Sequence, residues 1–195
     1  MARPSGRDIR TEVIEAATKA IQTRGASGFS YGTIADELGV KAPTIHHHFR
    51  RKAELLTTAV GDYRVQFRDQ VQSLDGKTAR TRLEAFAALL QAPAQRDLMC
   101  LCGAVVADWH GTDSATRAEV ERFFNDQHEW LASEATRAID AGEFSSVVDP
   151  DTFAAAFIAA LEGALLLARV SHDPGAVPAA ASCLLDLAAI RPADG

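Results

Sequence analysis

Residues 31–50, YGTIADELGVKAPTIHHHFR, constrain the fold of this chain more than any other segment. Ala35 is small where two helices must pass closely, Gly39 follows where a tight turn needs positive φ, and Ile45 comes later to close the packing. Ile34, Leu38 and Val40 complete the apolar set. Ser30 can cap a short helix that runs to Leu38, and a second short helix occupies roughly 42–47 with Pro43 in its first turn. Neither is long enough to stand alone. Crossed over a short turn, the two make a helix-turn-helix, whose second helix projects its outer face into a major groove. With Ile45 pointing inward, Lys41, Ala42, Thr44 and His47 lie on that outer face and suit base edges or adjacent phosphates. Ser30, Thr33 and Lys52 are better placed for the nucleic-acid backbone.

Outside this segment the periodicity is helical throughout, and no stretch alternates apolar and polar residues between strand-type turns. The chain therefore reads as all-α. Ile9, Val13, Ala16, Ala17, Ala20 and Ile21 form the stripe of a first helix stopped at Gly25. A long helix starts near Lys52, carries Leu56, Val60, Tyr63, Phe67 and Val71, and ends near Gly76. Its reach is about 30 Å at about 1.5 Å per residue, enough to join a small head to a larger body. Further helices are expected at about 78–91, 97–109, 114–141, 150–171 and 175–190, divided by Pro93 and by turns rich in Gly, Pro and Asp, for about nine in all.

The whole chain has a net charge of -6 and is 47% apolar, too apolar for disorder and, taken as a total, unfavourable for nucleic acid. The charge is unevenly placed, however. Residues 1–58 hold nine Lys and Arg against six Asp and Glu, whereas residues 59–195 hold eleven against twenty. The head is basic and the body acidic. His46, His47 and His48 add positive charge to the head as pH falls through the ordinary imidazole range. Glu162 and Arg169 interrupt the apolar stretch 153–170, so it does not read as a membrane span, and MARPSGRDIR has no apolar region of a secretory leader. Cys100 and Cys102, close together in an apolar run, fit reduced, buried thiols. A cytoplasmic location without membrane contact is the expectation.

The run from Ile9 to about Val60, with Gly25, GFSYGTIADELGV, PTIHHHF, Lys52 and Leu55, resembles the DNA-binding domain of the tetracycline-repressor (TetR) family. In that family the pattern closes with an aromatic, a variable residue, His and Phe, followed by a Lys that opens the fourth helix. Ile45, His48, Phe49 and Lys52 match, while His46 stands where Tyr is commonest. The rest of the chain matches in length and helical layout. The resemblance implies a homodimeric, ligand-responsive regulator, usually a repressor, that binds a palindromic operator. Residues 1–52 would form the helix-turn-helix DNA-binding domain, with His46 among its contacts, and residues 53–195 the helical effector-binding and dimerisation domain. Recognition helices would enter successive major grooves about 34 to 36 Å apart. A small-molecule effector that moved the long helix would change that separation.

Phe67, Phe86, Cys102, Val106, Trp109, Phe124, Gln127 and His128 are the expected effector contacts, because polar groups scattered among aromatics on several helices suit a ligand cavity. A dry core has much the same composition. The last two helices carry Ala156, Ala160, Ala164 and Ala168, then Ala181 and Ala188, a small-residue spacing that suits an intersubunit four-helix bundle or an intrachain core. Consecutive histidines on a helix point about 100° apart, and Cys100 and Cys102 point to nearly opposite faces, so neither group is expected to hold a metal. No nucleophile-base-orienter set or phosphate loop marks an enzyme, and no cofactor is expected. The alternatives are a DNA-binding protein without an effector pocket and an α-helical enzyme using His110 or His128 with Asp108 or Glu129.

Overall fold

The computed structural model describes residues 8–190. The first seven residues, which carry most of the segment read for a leader, lie outside them. The described residues form nine α-helices: α1 (Ile9–Arg24), α2 (Tyr31–Leu38), α3 (Ala42–His48), α4 (Lys52–Gln72), α5 (Ala79–Ala94), α6 (Leu101–Val106), α7 (Ser114–Asp140), α8 (Pro150–Ser171) and α9 (Ala176–Ala188). Short 3-10 turns occupy Ala26–Gly28 and Trp109–Gly111. Outside the helices, an isolated bridge pairs Phe144 with Ala189. The all-α reading holds, but two boundaries differ from expectation. α5 runs through Pro93, which sits in its final turn, where a missing N–H costs a single backbone bond. The helix expected at 97–109 is cut to α6, because Asp97 turns the chain with φ 56° and a separate 3-10 turn follows at Trp109.

The chain divides into two compact units. The first comprises residues up to Val65 together with Leu101–Glu121, and the second Gln66–Cys100 with the chain from Arg122 onward. Thus α4 and α7 each contribute residues to both units.

In the first unit α1 packs on α2, α3 and α6. Gly25 stops α1 with φ 84°, and Gly39 ends α2 in the left-handed region at φ 63°, where a side chain would be strained. The Val40 N–H then returns to the Ala35 carbonyl at 2.9 Å. Val13, Ile21, Ile34, Ile45, Phe49 and Leu55 form the fully enclosed centre. Polar contacts join the early turns of α7 to α4: the Thr57 and Thr116 hydroxyls lie 2.7 Å apart, and Arg64 pairs with Glu119 at 3.5 Å.

In the second unit α5, α8 and α9 pack on one another. The Glu143 carboxylate caps α5 by accepting from the Ala79 and Arg80 N–H groups at 3.1 and 3.0 Å. Arg82 donates two bonds to the buried Glu134, at 3.0 and 2.9 Å, and a third to the Leu74 carbonyl at 2.8 Å. This pair satisfies a charge that would be costly alone.

Most of the small-residue stripe on the last two helices packs inside the subunit: Ala164, Ala168, Ala181 and Ala188 are buried. The opposite side is also apolar. Leu166, Leu167 and Val170 on α8, Leu187 on α9 and the following Ile190 are 53 to 82% exposed. Apolar on both sides, α8 is long and apolar enough to cross a membrane by length and composition, with a mean hydropathy of 1.9, which the interruptions at Glu162 and Arg169 did not suggest. Here it lies against α5 and α9 as a core helix of the second unit.

Candidate nucleic-acid interface

The reading edge is built from local capping. Ser30 Oγ accepts from the Thr33 N–H at 3.1 Å, and Thr33 Oγ1 accepts from the Ser30 N–H at 3.0 Å, a reciprocal box that fixes the start of α2. The Thr33 hydroxyl also donates to the Ser30 carbonyl at 2.8 Å, and the Ser30 hydroxyl to Thr33 Oγ1 at 3.3 Å. Both expected backbone-contacting hydroxyls therefore already have acceptors for their protons. The first-turn N–H groups of Tyr31 and Gly32 have no acceptor within the helix and carry its positive end outward.

α3 follows the Gly39 turn. Ile45 is fully buried, which turns the other side of this short helix toward solvent. Lys41, His46 and His47 are exposed, and Ala42 and Thr44 are half-buried. His46 sets its ring against Tyr31, centroids 4.5 Å apart at 77°, and the Tyr31 hydroxyl donates to the Phe49 carbonyl at 2.9 Å. Burial first, and then the nearby Glu54 carboxylate, raises the Tyr31 pKa, so the phenol keeps the proton it donates. His46 thus rests on a side chain anchored to the end of α3. His47 stacks edge-on against His48 at 5.4 Å.

Lys52 is exposed and holds its ammonium 4.3 Å above the Phe29 ring. It joins Arg50 and Arg51, both exposed, in a run of three cations at the opening of α4. The sequence reading passes over these two arginines, although the run RRK is visible in the chain. Part of the Arg51 charge is answered by Asp113. Together the eight expected contacts occupy the start of α2, the α3 segment and the start of α4, all within the first unit.

The expected effector contacts fall in both units. Cys102, Val106 and Trp109 belong to the first unit, and Phe67, Phe86, Phe124, Gln127 and His128 to the second. Cys102 is buried, Val106 is exposed, and Trp109 lies under the Arg117 guanidinium at 5.4 Å. In the second unit Phe67 meets Phe86 at 5.7 Å and Phe123 at 5.3 Å, and Trp130 stacks on Phe86 at 5.3 Å. Phe124 packs edge-on against Phe123, Gln127 is buried with its amide near the Phe123 carbonyl, and His128 faces the Asp151 carbonyl at 3.2 Å. A groove of about 580 Å³ does open in the first unit, lined by Lys19, Thr23, Arg24, Asp36 and Glu37 among others, but it includes none of these eight. Among the described residues no three metal-ligating side chains converge. Cys100 and Cys102 are free and buried, while Cys183 on α9 is free and exposed.

One buried group was visible in the sequence only as an interruption. Glu162 on α8 is half-buried, and its carboxyl Oε1 is closed from solvent with no hydrogen-bond partner in the chain. Burial raises its pKa above the ordinary carboxylate value, and a hydrogen bond with Cys100 offsets part of that rise.

Residues 13–59 match the family model for bacterial regulatory proteins of the tetR family, and residues 79–184 match that for the tetracyclin repressor-like C-terminal domain. No curated protein matches the chain in sequence. A TetR-family transcriptional regulator from Agrobacterium tumefaciens is similar in structure, with a TM-score of 0.88 at 23% identity over 93% of this chain and 97% of that one. A TetR transcriptional regulator from Legionella pneumophila gives 0.83 at 21% identity over 94% and 99%. The regulatory protein TetR from Rhodobacter sphaeroides gives 0.83 at 23% over 90% and 96%. At these identities the likeness is one of fold. With the helix-turn-helix matched by one family model and more than half of the chain by the other, this protein belongs to the TetR family of DNA-binding transcriptional regulators.

Proposed function

We propose that this regulator is a repressor that binds a palindromic operator as a homodimer in the cytoplasm and is released by a small-molecule effector. The observation that carries the reading is the outer edge of the helix-turn-helix, where Lys41, His46, His47 and Lys52 stand exposed beside a fully buried Ile45. That edge offers cations for phosphates and a hydroxyl and imidazoles for base edges. The exposed apolar side of α8 and α9 supports association of two chains, since monomers rarely leave such a patch in water. On this reading residues 1–52 bind DNA, residues 53–195 hold the effector and the dimer contact, and the protein needs no catalytic step. The effector must favour the conformer that fits DNA poorly, by the same free energy with which it weakens DNA binding.

Selection of genomic fragments by the purified protein, followed by footprinting, tests the reading. A protected sequence with twofold symmetry is expected; binding without sequence preference overturns it. The ring-to-ring packing of Phe67, Phe86 and Phe123 favours a second reading, a constitutive DNA-binding factor with a dry body. A compound that changes operator affinity excludes that alternative.

A further inference from the structure

Glu162 is half-buried on α8, between the buried Leu161 and Leu165 and the exposed Leu166, with its carboxyl Oε1 turned out of solvent. Buried polar atoms in folded proteins are nearly always hydrogen-bonded, and an unmet one opposes folding. Yet Oε1 of Glu162 is closed from solvent and has no partner, and the Cys100 thiol is the group that bonds the carboxyl. Arg169 lies two turns further on nearly the same face of α8, but its guanidinium is directed to Asp97 at 3.9 Å. Packing gives no reason for an acid at this position, since a leucine or methionine would continue the apolar stretch. An acceptor held out of water and left unmet by the chain is what a donor-bearing ligand requires.

We propose that Glu162, with Cys100 beside it, is the polar anchor of a small-molecule site in the second unit, and that the ligand it selects is an aliphatic amine or a related organic cation. The proposal rests on the effector reading above and names the chemistry of the effector. The ammonium group donates to Oε1 while the alkyl body replaces water against the apolar side chains of α8. Burial disfavours the ionised form of this carboxyl and raises its pKa above the ordinary carboxylate value. The bound ammonium ion favours the carboxylate, any proton on Glu162 passing to solvent, and the two form a pair of zero net charge.

Calorimetric titration of the full-length protein with hexylamine, hexan-1-ol and hexanoate tests this. A charge-assisted bond gives hexylamine a preference of at least about tenfold over both other probes in the wild type. In Glu162→Gln and Glu162→Met the three affinities should fall within about threefold of one another, with folding checked by circular dichroism; the Gln variant keeps the shape should the Met variant fold poorly. Absence of saturable hexylamine binding, equal binding of the three probes to the wild type, or an amine preference that survives in both variants overturns the proposal. So does a crystal structure in which an ordered water bonded to Oε1 stays in place under saturating hexylamine. Operator binding separates the two readings. If hexylamine binds through Glu162 and leaves operator affinity unchanged, the site stands and the effector reading falls. If hexylamine shows no Glu162-dependent binding while another compound releases the operator equally from wild type and Glu162→Met, the effector reading stands and this site falls.

Discussion

In the first unit the residues that give shape lie inside and those that do chemistry lie outside: Ile45 and Phe49 are fully buried, while Lys41, His47 and Lys52 meet solvent. The second unit reverses this order, with Leu166, Leu167 and Val170 outside and the Glu162 carboxyl inside. The first arrangement is satisfied within a single chain. The second leaves apolar surface in water and a buried acceptor unmet, two costs that only another molecule can remove. A surface for DNA can therefore be read from one subunit, whereas the second unit must be read for what it lacks.

The largest expected effect tests the outer side of the second unit. Leu167→Glu combined with Val170→Glu should weaken dimerisation by at least about 10³-fold, because each apolar side chain contributes about 1.5 to 3 kcal/mol and the twofold counts it twice. Sedimentation velocity should then show a monomer where the wild type is a dimer. A persistent dimer would place the interface elsewhere.

Next, Ile45→Ala should destabilise the first unit by about 2 to 5 kcal/mol, whereas His47→Ala should change stability by about 0.5 kcal/mol or less. Urea unfolding monitored in that unit distinguishes them, and similar costs would erase the inside-outside contrast.

Glu162→Met should raise stability at neutral pH by about 1 to 3 kcal/mol, since it removes an unmet buried acceptor. The linked pH effect has a definite sign. Burial raises the Glu162 pKa above 4.5, so between those values the native state keeps a proton that the unfolded chain has released. Its stabilising contribution is fully present below pH 4.5 and is lost as pH rises through the folded-state pKa. Cys100 bonds the carboxyl, and the nearby Arg169 pairs with Asp97, so Glu162→Gln should remove this slope without disturbing that ion pair. Parallel stability curves for wild type and Glu162→Gln would mean that the carboxyl is not enclosed.

The smallest effect concerns Lys52. Its replacement by Ala should lower the salt slope of DNA binding by about one and cost about 0.5 to 1 kcal/mol of stability through loss of the Phe29 contact. An unchanged slope would remove Lys52 from the phosphate contacts. Thr44→Ala should instead alter preference among operators, as read by competition between related sites.

What was legible in the sequence was whatever a few neighbouring residues decide. The Ser30 cap, the turn at Gly39, the inward Ile45 and the stop at Gly25 each follow from local conformational limits, and each is where the spacing put it. The second unit depends on which helix faces which, and local patterns do not contain that. α8 is apolar on two sides, so its alanine stripe did not reveal that Ala164 and Ala168 would pack within the subunit while Leu167 and Val170 stayed outside. Glu162 could be seen in the sequence as a break in hydropathy, but its enclosure could not.

The apolar side of α8 also bears on dosage. If that side closes the dimer, then at copy numbers low enough for chains to be mostly single, the amount of operator-competent protein grows with the square of the number of chains made. Halving synthesis would then leave about a quarter of the dimers by mass action. Control of the target would respond to gene expression more steeply than a monomeric regulator allows, even before any small molecule is present.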